Sequence, residues 1–346
     1  MRLHGGGKVA VTLKDIARLA GVNASTVSRS LNDSPLIPEE TRRHIRQIAR
    51  DHGFAFNASA RSLSLGQTGT IALIFPDYFE RFSINLFFSS LQSHIRTVLE
   101  RAHIDVLVAF PRNRSTGGSN LEKLVTGRKV DGMLIVNNEV DAQDVACLKK
   151  AGMPYVFLHK HPDDGQVPDA DYFCTDHLEG GRLAARHLLA RGKSRLLCVS
   201  AVGEEFEART AGFLHGLRDA GARHEAVDVL YGDCSFEFGA GAAILRVLAS
   251  APGSPVDGVF CQTDLMALGL LQGAARAGLR VPEDLAVVGY DDIELGRSFL
   301  PALTTVSQPL KEITELACER LLERLRGVTV PPEHRLLKPE LTLRET

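Results

Sequence analysis

VTLKDIARLAGVNASTVSRSLN (residues 11–32) decides how the rest of this chain is read. Thr12 with Asp15 three residues later is a capping-box-like start, each side chain able to reach the other's backbone N–H. Leu13, Ile16, Ala17 and Ala20 recur at helical spacing and give the helix one apolar face. Gly21 supplies a turn. Asn23 can cap a second helix, whose Val27 and Leu31 point back at the first. Left outward on that second helix are Ala24, Ser25, Ser28 and Arg29. Small and hydroxylic side chains beside one arginine suit a helix that presses into a DNA groove and reads base edges. An ordinary pair of surface helices is the competing reading of this stretch taken alone.

Downstream, a third helix is expected from Pro38, a good first-turn residue, to about His52, with Gly53 as its stop. Ile45, Ile48 and Ala49 supply its apolar side, and Phe54 follows the stop. NASARSLSLG (57–66) then reads as about two helical turns capped by Asn57. A helix that short does not hold together by itself in water, so it should order only when something packs on it. Leu63 has no evident partner within the chain, and a plain linker with an incidental leucine is the alternative.

Charge separates this front end from the remainder. Residues 1–66 carry ten Lys/Arg against five Asp/Glu, whereas the other residues carry 30 against 37. A basic head on an acidic body fits a phosphate-binding module joined to a body that does not touch nucleic acid. At 346 residues the chain should hold two or three domains. The six cysteines form no C-x-x-C pair and have no histidine at zinc spacing, which points to free thiols in a reducing compartment. The opening MRLHGGGKVAVT has no apolar core of a secretory signal, and no run of 18 or more apolar residues suggests a membrane span. The expected location is the cytoplasm, on the nucleoid, with no membrane partner.

From Thr70 the pattern becomes strand, helix, strand, helix. IALIF (71–75), IDVLVAF (104–110), DGMLIV (131–136) and PYVFL (154–158) alternate with helical stretches near 83–101, 119–127 and 141–151. RLLCVS (195–200), DVLY (228–231), DGVFC (257–261) and LAVVGY (285–290) alternate with stretches near 177–191, 206–220, 236–250 and 264–277. Short apolar strands between amphipathic helices imply parallel sheets covered on both faces. Two such series predict two similar lobes with a cleft between them. Ligands in such sheets bind beyond the carboxyl ends of the strands, and the residues following these strands are polar.

In combination these segments resemble the lactose-repressor (LacI–GalR) family of bacterial transcription factors. The resemblance is carried by residues 11–32, the hinge NASARSL, DGMLIV, GGRLAARHLLARGKSRL, EARTAGFLHGL, TDLMALGLLQGAARAGLRVPEDLAVVGYDD and PALTTVSQP, in that order. It covers the chain from Val11 onward. The implied fold is an all-α helix-turn-helix head with a hinge helix, followed by an α/β two-lobed core like periplasmic binding proteins. The head is placed at 11–56, hinge and linker at 57–68, and the effector-binding and dimerisation core at 69–346. Lobe 1 takes about 69–171 and 309–332. Lobe 2 takes about 172–304 and 334–346, the final HRLLKPELTLR strand returning to it.

The resemblance implies a homodimeric repressor on a pseudo-palindromic, double-stranded operator, controlled by a small metabolite. Asn23 to Leu31 would be the recognition helix, with Ala24, Ser25 and Arg29 at base-reading positions and Thr26 beside them. Thr12, Ser28, Asn32 and Asn57 match phosphate-holding positions. Leu63, with Ala60 nearby, matches the hinge leucine that wedges into the minor groove. Phe56 stands where a proline is common, which makes the hinge entry less rigid.

Implied effector contacts are Asp77, Phe82, His159, Arg209, Cys234, Thr263, Asp291 and Gln308. His159 replaces a frequent aspartate, Cys234 an aromatic platform and Thr263 a frequent asparagine, although Phe236 and Phe238 lie close to Cys234. Loss of an acid beside Lys160, with Arg209 present, suggests a basic pocket and a sugar acid or phosphorylated sugar in place of a neutral hexose. His159 and His161 without a third ligand do not make a metal site. No cofactor is expected. A solute-binding protein is disfavoured by the basic head. A doubly wound enzyme is disfavoured by the lack of G-x-G-x-x-G after the first strand, of a P-loop and of G-x-S-x-G or H-E-x-x-H. The chain ends without a heptad tail, so a dimer is expected and not a tetramer.

Overall fold

The computed structural model describes residues 11–31, 34–54, 67–76, 86–136, 140–159, 169–221, 227–249 and 255–346. They form two compact units, Met1–Thr68 and Gly69–Thr346.

Among the described residues the first unit holds three helices, α1 (Leu13–Leu19), α2 (Ala24–Leu31) and α3 (Glu39–Asp51). Thr12 Oγ1 accepts from the Asp15 N–H at 3.3 Å while the Asp15 carboxylate accepts from the Thr12 N–H at 3.0 Å, so the capping box is complete. The Thr12 hydroxyl and N–H, both donating to the Asp15 carboxylate, hold that carboxyl below its ordinary range. Gly21 turns the chain at φ +67°, a conformation that favours glycine. Ile16, Val27 and Ile45, one from each helix, are fully buried together with Ala17 and Ala49.

In the second unit the first lobe runs β1 (Thr70–Ile74), α4 (Leu86–Arg101), β2 (Asp105–Ala109), α5 (Asn120–Thr126), β3 (Gly132–Ile135), α6 (Ala142–Ala151), β4 (Tyr155–Leu158) and β5 (Asp171–Thr175). The second lobe runs α7 (His177–Ala190), β6 (Leu196–Ala201), α8 (Glu204–Asp219) and β7 (Val227–Gly232), then a helix in three pieces. That helix, α9, joins Phe236–Phe238 and Ile244–Leu248 through a π-helical turn at Gly239–Ala243. β8 (Gly258–Cys261), α10 (Asp264–Arg276), β9 (Ala286–Tyr290), α11 (Glu294–Ser298) and β10 (Thr304–Ser307) follow. The chain then returns through α12 (Leu310–Leu325), β11 (His334–Leu337) and β12 (Glu340–Thr342).

The first sheet has the order β11-β5-β4-β3-β1-β2 and is parallel throughout. The second has the order β12-β10-β9-β8-β6-β7, with β12 antiparallel on the edge. The inner strands β3, β5, β6, β8 and β9 are buried along their whole length, as sheets covered on both faces require.

Two features of this topology differ from the sequence-based expectation. Asp171–Thr175 belongs to the first sheet and not the second lobe. The strand opens on an acid and carries no aliphatic run. Its buried Asp171 is satisfied by Arg320 Nε at 2.8 Å, Arg324 Nε at 3.0 Å and the Glu333 N–H at 2.8 Å. The C-terminal stretch is also split, His334–Leu337 joining the first sheet and Glu340–Thr342 the second. Pro339 separates them, and a proline cannot donate to a continuing ladder.

The second lobe packs α7 on α8 at backbone distance. A Cβ on Gly181 would lie 2.1 Å from the Arg209 carbonyl oxygen, and one on Gly212 only 1.9 Å from that of Leu178. Backbone cannot yield as a flexible side chain would. Gly212→Ala should therefore push the helices apart and destabilise the second unit by about 1–3 kcal/mol, the ordinary range for overpacking. Urea denaturation followed through the core transition checks this, and an unchanged midpoint would mean the close crossing is not held in solution.

Candidate functional site

The second helix of the head presents the side chains expected of it. Asn23 Oδ1 accepts from the Thr26 N–H at 2.8 Å and from the hydroxyls of Ser25 at 2.6 Å and Thr26 at 2.8 Å. That fan of bonds starts the helix and leaves the hydroxyl lone pairs and the Asn23 amide N–H for an outside partner. Ala24, Ser25 and Arg29 are exposed, Thr26 and Ser28 half-buried, and Val27 is turned wholly inward. Thr12 lies at the start of α1, its hydroxyl donating to Asp15 at 2.7 Å. Asn32, Asn57, Ala60 and Leu63 lie outside the described residues.

In the core, strand ends from both lobes converge on one pocket. His159 follows β4, Cys234 follows β7, Thr263 follows β8 and Asp291 follows β9, while Arg209 comes from the second turn of α8. Five of the expected contacts are thus brought together. Asp77 and Phe82 lie outside the described residues. His159 and Asp291 have φ of +69° and +114°, and Asp292 follows at +53°. Non-glycine residues in that region carry strain of about 1–3 kcal/mol each, and two of these three side chains line the pocket. Their surroundings hold them there. The His159 N–H donates to the Phe173 carbonyl at 2.9 Å, the Asp291 N–H to that of Val306 at 2.9 Å, and Arg297 and Arg344 both grip Asp292.

Arg209 is only 2% exposed, so it is not a surface ion-pair residue. Its Nη1 donates to the Gln262 carbonyl at 2.6 Å and its Nε to His177 Nδ1 at 3.3 Å. The guanidinium carbon sits 3.8 Å from the centroid of the Tyr290 ring and 5.1 Å from that of Phe206. Gln308 stands behind Asp291 and is not part of the pocket wall. It donates to Asp291 Oδ1 at 2.7 Å and accepts from the Thr175 hydroxyl at 2.7 Å, so it orients the carboxylate. Burial pushes the Asp291 carboxyl up to about 6 against the opposing pull of Arg209 and Gln308. Burial likewise pushes the Cys234 thiol up to about 12, which keeps it neutral at physiological pH. Thr263 Oγ1 caps α10, accepting from the Met266 N–H at 3.3 Å.

Two expectations about the pocket need correction. Phe236 and Phe238 do not replace the missing aromatic platform, because both pack against the hydrophobic core and Phe238 fills the space over Gly232. Phe87 and Phe206 supply the apolar walls, Phe87 with its ring centroid 4.5 Å from that of His159. Phe206 was findable in sequence, three residues before Arg209 and hence on the same helix face. The expected basic character is also not what the described wall carries. Glu205, Asp233 and Asp291 line it against the single guanidinium of Arg209, with Lys160 outside the described residues.

Among the described residues no helix is long and apolar enough to cross a membrane. Residues 12–57 match the family model of bacterial regulatory proteins, lacI family, and residues 185–346 that of a periplasmic binding protein-like domain. The chain is 34% identical over 334 residues to the ribose operon repressor of Escherichia coli strain K12, covering 95% of this chain and 98% of that one. Its fold matches the lac repressor dimer bound to operator and the anti-inducer ONPF, with a TM-score of 0.79 and 25% identity over 98% of this chain and 99% of that one. It also matches a LacI family transcriptional regulator from Enterococcus faecium with bound ribose, with a TM-score of 0.69 and 29% identity over 80% of this chain and 97% of that one. The chain belongs to the lacI family of bacterial regulatory proteins: it is a transcriptional regulator, not an enzyme, with a helix-turn-helix head and a periplasmic-binding-protein-like core.

Proposed function

We propose that this regulator is a homodimeric, cytoplasmic repressor that reads a pseudo-palindromic operator and releases or grips it in response to a polyhydroxylated metabolite bound between its lobes. One observation carries this reading. The same chain joins a helix with exposed Ala24, Ser25 and Arg29 to a pocket where Arg209 and Asp291 face the strand ends of two lobes. A buried arginine and a carboxylate with aromatic walls suit a ring of hydroxyls, which donate to the acid, accept from the cation and lay a C–H face on the rings. Relatives named for ribose and a structure with bound ribose support a sugar or sugar derivative as that ligand. Asn57, Ala60 and Leu63 are assigned to the hinge, Leu63 as the minor-groove wedge, and Asp77 and Phe82 to the pocket, by resemblance to the family. Effector and operator then share one coupling free energy, so each shifts the other's affinity by the same factor.

Selection of operators from random DNA, with and without a panel of sugars, tests the reading directly. Failure to enrich any duplex at low salt defeats it. Arg29→Ala should relax preference at one base pair per half-site, a loss of roughly 1–3 kcal/mol of discrimination, while an unchanged selected sequence would remove Arg29 from base reading. Leu63→Ala should straighten the bound operator and weaken its binding with effector affinity intact, as gel phasing and calorimetry would report.

Asp291 gives a pH signature. A ligand hydroxyl donates to the ionised carboxylate, and the free protein's carboxyl lies at about 6. Effector affinity should therefore be flat above pH 7 and fall roughly tenfold per pH unit below 6, with proton release on binding near pH 6. Gln308→Leu removes a bond that favours the ionised form and should move that midpoint upward. Affinity that stays constant from pH 5 to 7.5 would exclude Asp291 as an acceptor.

A further inference from the structure

We propose that Glu205 is the ligand-class selector of the inter-lobe pocket, accepting from a hydroxyl or ammonium group of the effector and rejecting carboxylates and phosphates. The proposal rests on the effector reading above and narrows it.

Glu205 stands four residues before Arg209 on α8, so both side chains lie on the helix face that lines the pocket. It is nine-tenths buried, in contact with the pocket rather than with bulk water. An anion drawn to the Arg209 guanidinium would have to pass the Glu205 carboxyl group one helical turn away. The guanidinium itself is already engaged, with donors committed to Gln262 and His177 and a face on Tyr290. Its charge also acts on Asp291, which Glu205 in turn opposes.

The start of α8 reinforces this. A helix N-terminus beside a binding pocket is the ordinary place for a phosphate or carboxylate, since its free N–H groups and positive dipole end favour negative charge. Here Glu204, Glu205 and Glu207 fill the first turn with the protein's own acids. The place an anionic ligand would take is therefore supplied with negative charge by the chain. Across the pocket, Asp233 adds another carboxylate at the end of β7. Phe87 and Phe206 suit the C–H face of a sugar ring or a cationic group equally well. A neutral polyol or an amino-substituted one fits every one of these neighbours. Among the described lining residues, a sugar acid or a sugar phosphate finds its guanidinium partner in Arg209 alone.

The test uses the full-length protein and thermal-shift screening against matched sets: aldopentoses and aldohexoses, their amino-substituted forms, their onic acids and their phosphates. Hits should cluster in the neutral and amine-bearing sets. Calorimetry on the best hit and on its acid should then give at least tenfold preference for the former, and Glu205→Gln should shrink that preference by tenfold or more. Glu205→Asp, which keeps the charge, should retain it. Hits confined to acids or phosphates, no hit among neutral and amine-bearing compounds, or a preference unmoved by Glu205→Gln would overturn the proposal. Operator selection is independent of these outcomes. A protein that selects an operator yet answers only to anions would sink the role of Glu205 and leave the regulator reading standing.

Discussion

A guanidinium buried between two lobes must be compensated on every side, and the second lobe is arranged around that requirement. Burying a charge without partners costs several kcal/mol, so Arg209 can be 2% exposed only because its environment is built for it. Its Nη1 finds the carbonyl at the end of β8, its Nε a histidine at the start of α7, and its flat face the Tyr290 ring at the end of β9. Each partner sits at a strand or helix terminus, where the backbone leaves the regular ladder and carbonyls become available. α8 reaches that spot because Gly181 and Gly212 let α7 and α8 touch backbone to backbone. Close packing therefore positions a charge, and the charge defines the pocket.

The same region joins the lobes. The chain passes between them after β5, after β10 and after β11, and these crossings are hydrogen-bonded to one another. The Thr175 hydroxyl at the end of β5 donates to the Gln308 side chain just after β10, and the Asp176 N–H donates to the Leu337 carbonyl at the end of β11. Gln308 passes the connection on by donating to Asp291 in the pocket. A ligand that bonds Asp291 thus acts on the side chain that ties two crossings together. Asp291, Gln308 and Thr175 thus form one hydrogen-bonded chain from the pocket wall to two of the crossings.

Local chemistry made much of this legible before any coordinates. The capping box of Thr12 and Asp15, the Asn23 cap and the inward Val27 are decided within a few residues, and all stand in the structure. Alternation of aliphatic runs with helices marks the parallel strands of both sheets, because strands buried on both faces have little choice of residue. What escaped was set by distant partners. β5 opens on Asp171, an acid that belongs in a strand only because Arg320 and Arg324 come back to it from α12. Phe87 reaches the pocket from the first lobe, and nothing near it in sequence announces His159 as its neighbour. Glu205 is not legible as a pocket residue in the sequence, because a glutamate in the first turn of a helix is ordinary until its burial is known.

The charge of the pocket shows where such reading fails and why. Counting replacements at single positions, a histidine for an aspartate beside a lysine, suggested a basic site. The wall is assembled from strand ends far apart in sequence, and the acids of β7 and α8 enter it together with Arg209. A site's electrostatics is a sum over neighbours in space, which single-position substitution cannot supply. Within that sum the pull of Arg209 opposes the burial that raises the Asp291 carboxyl. Among the described lining residues, Glu205 and Asp233 add two further acids beside that pair. A hydroxylated ligand, as proposed above, would meet these groups without adding a charge, and a hydroxyl donating to Asp291 would favour the ionised form of the carboxyl that Gln308 ties to the crossings.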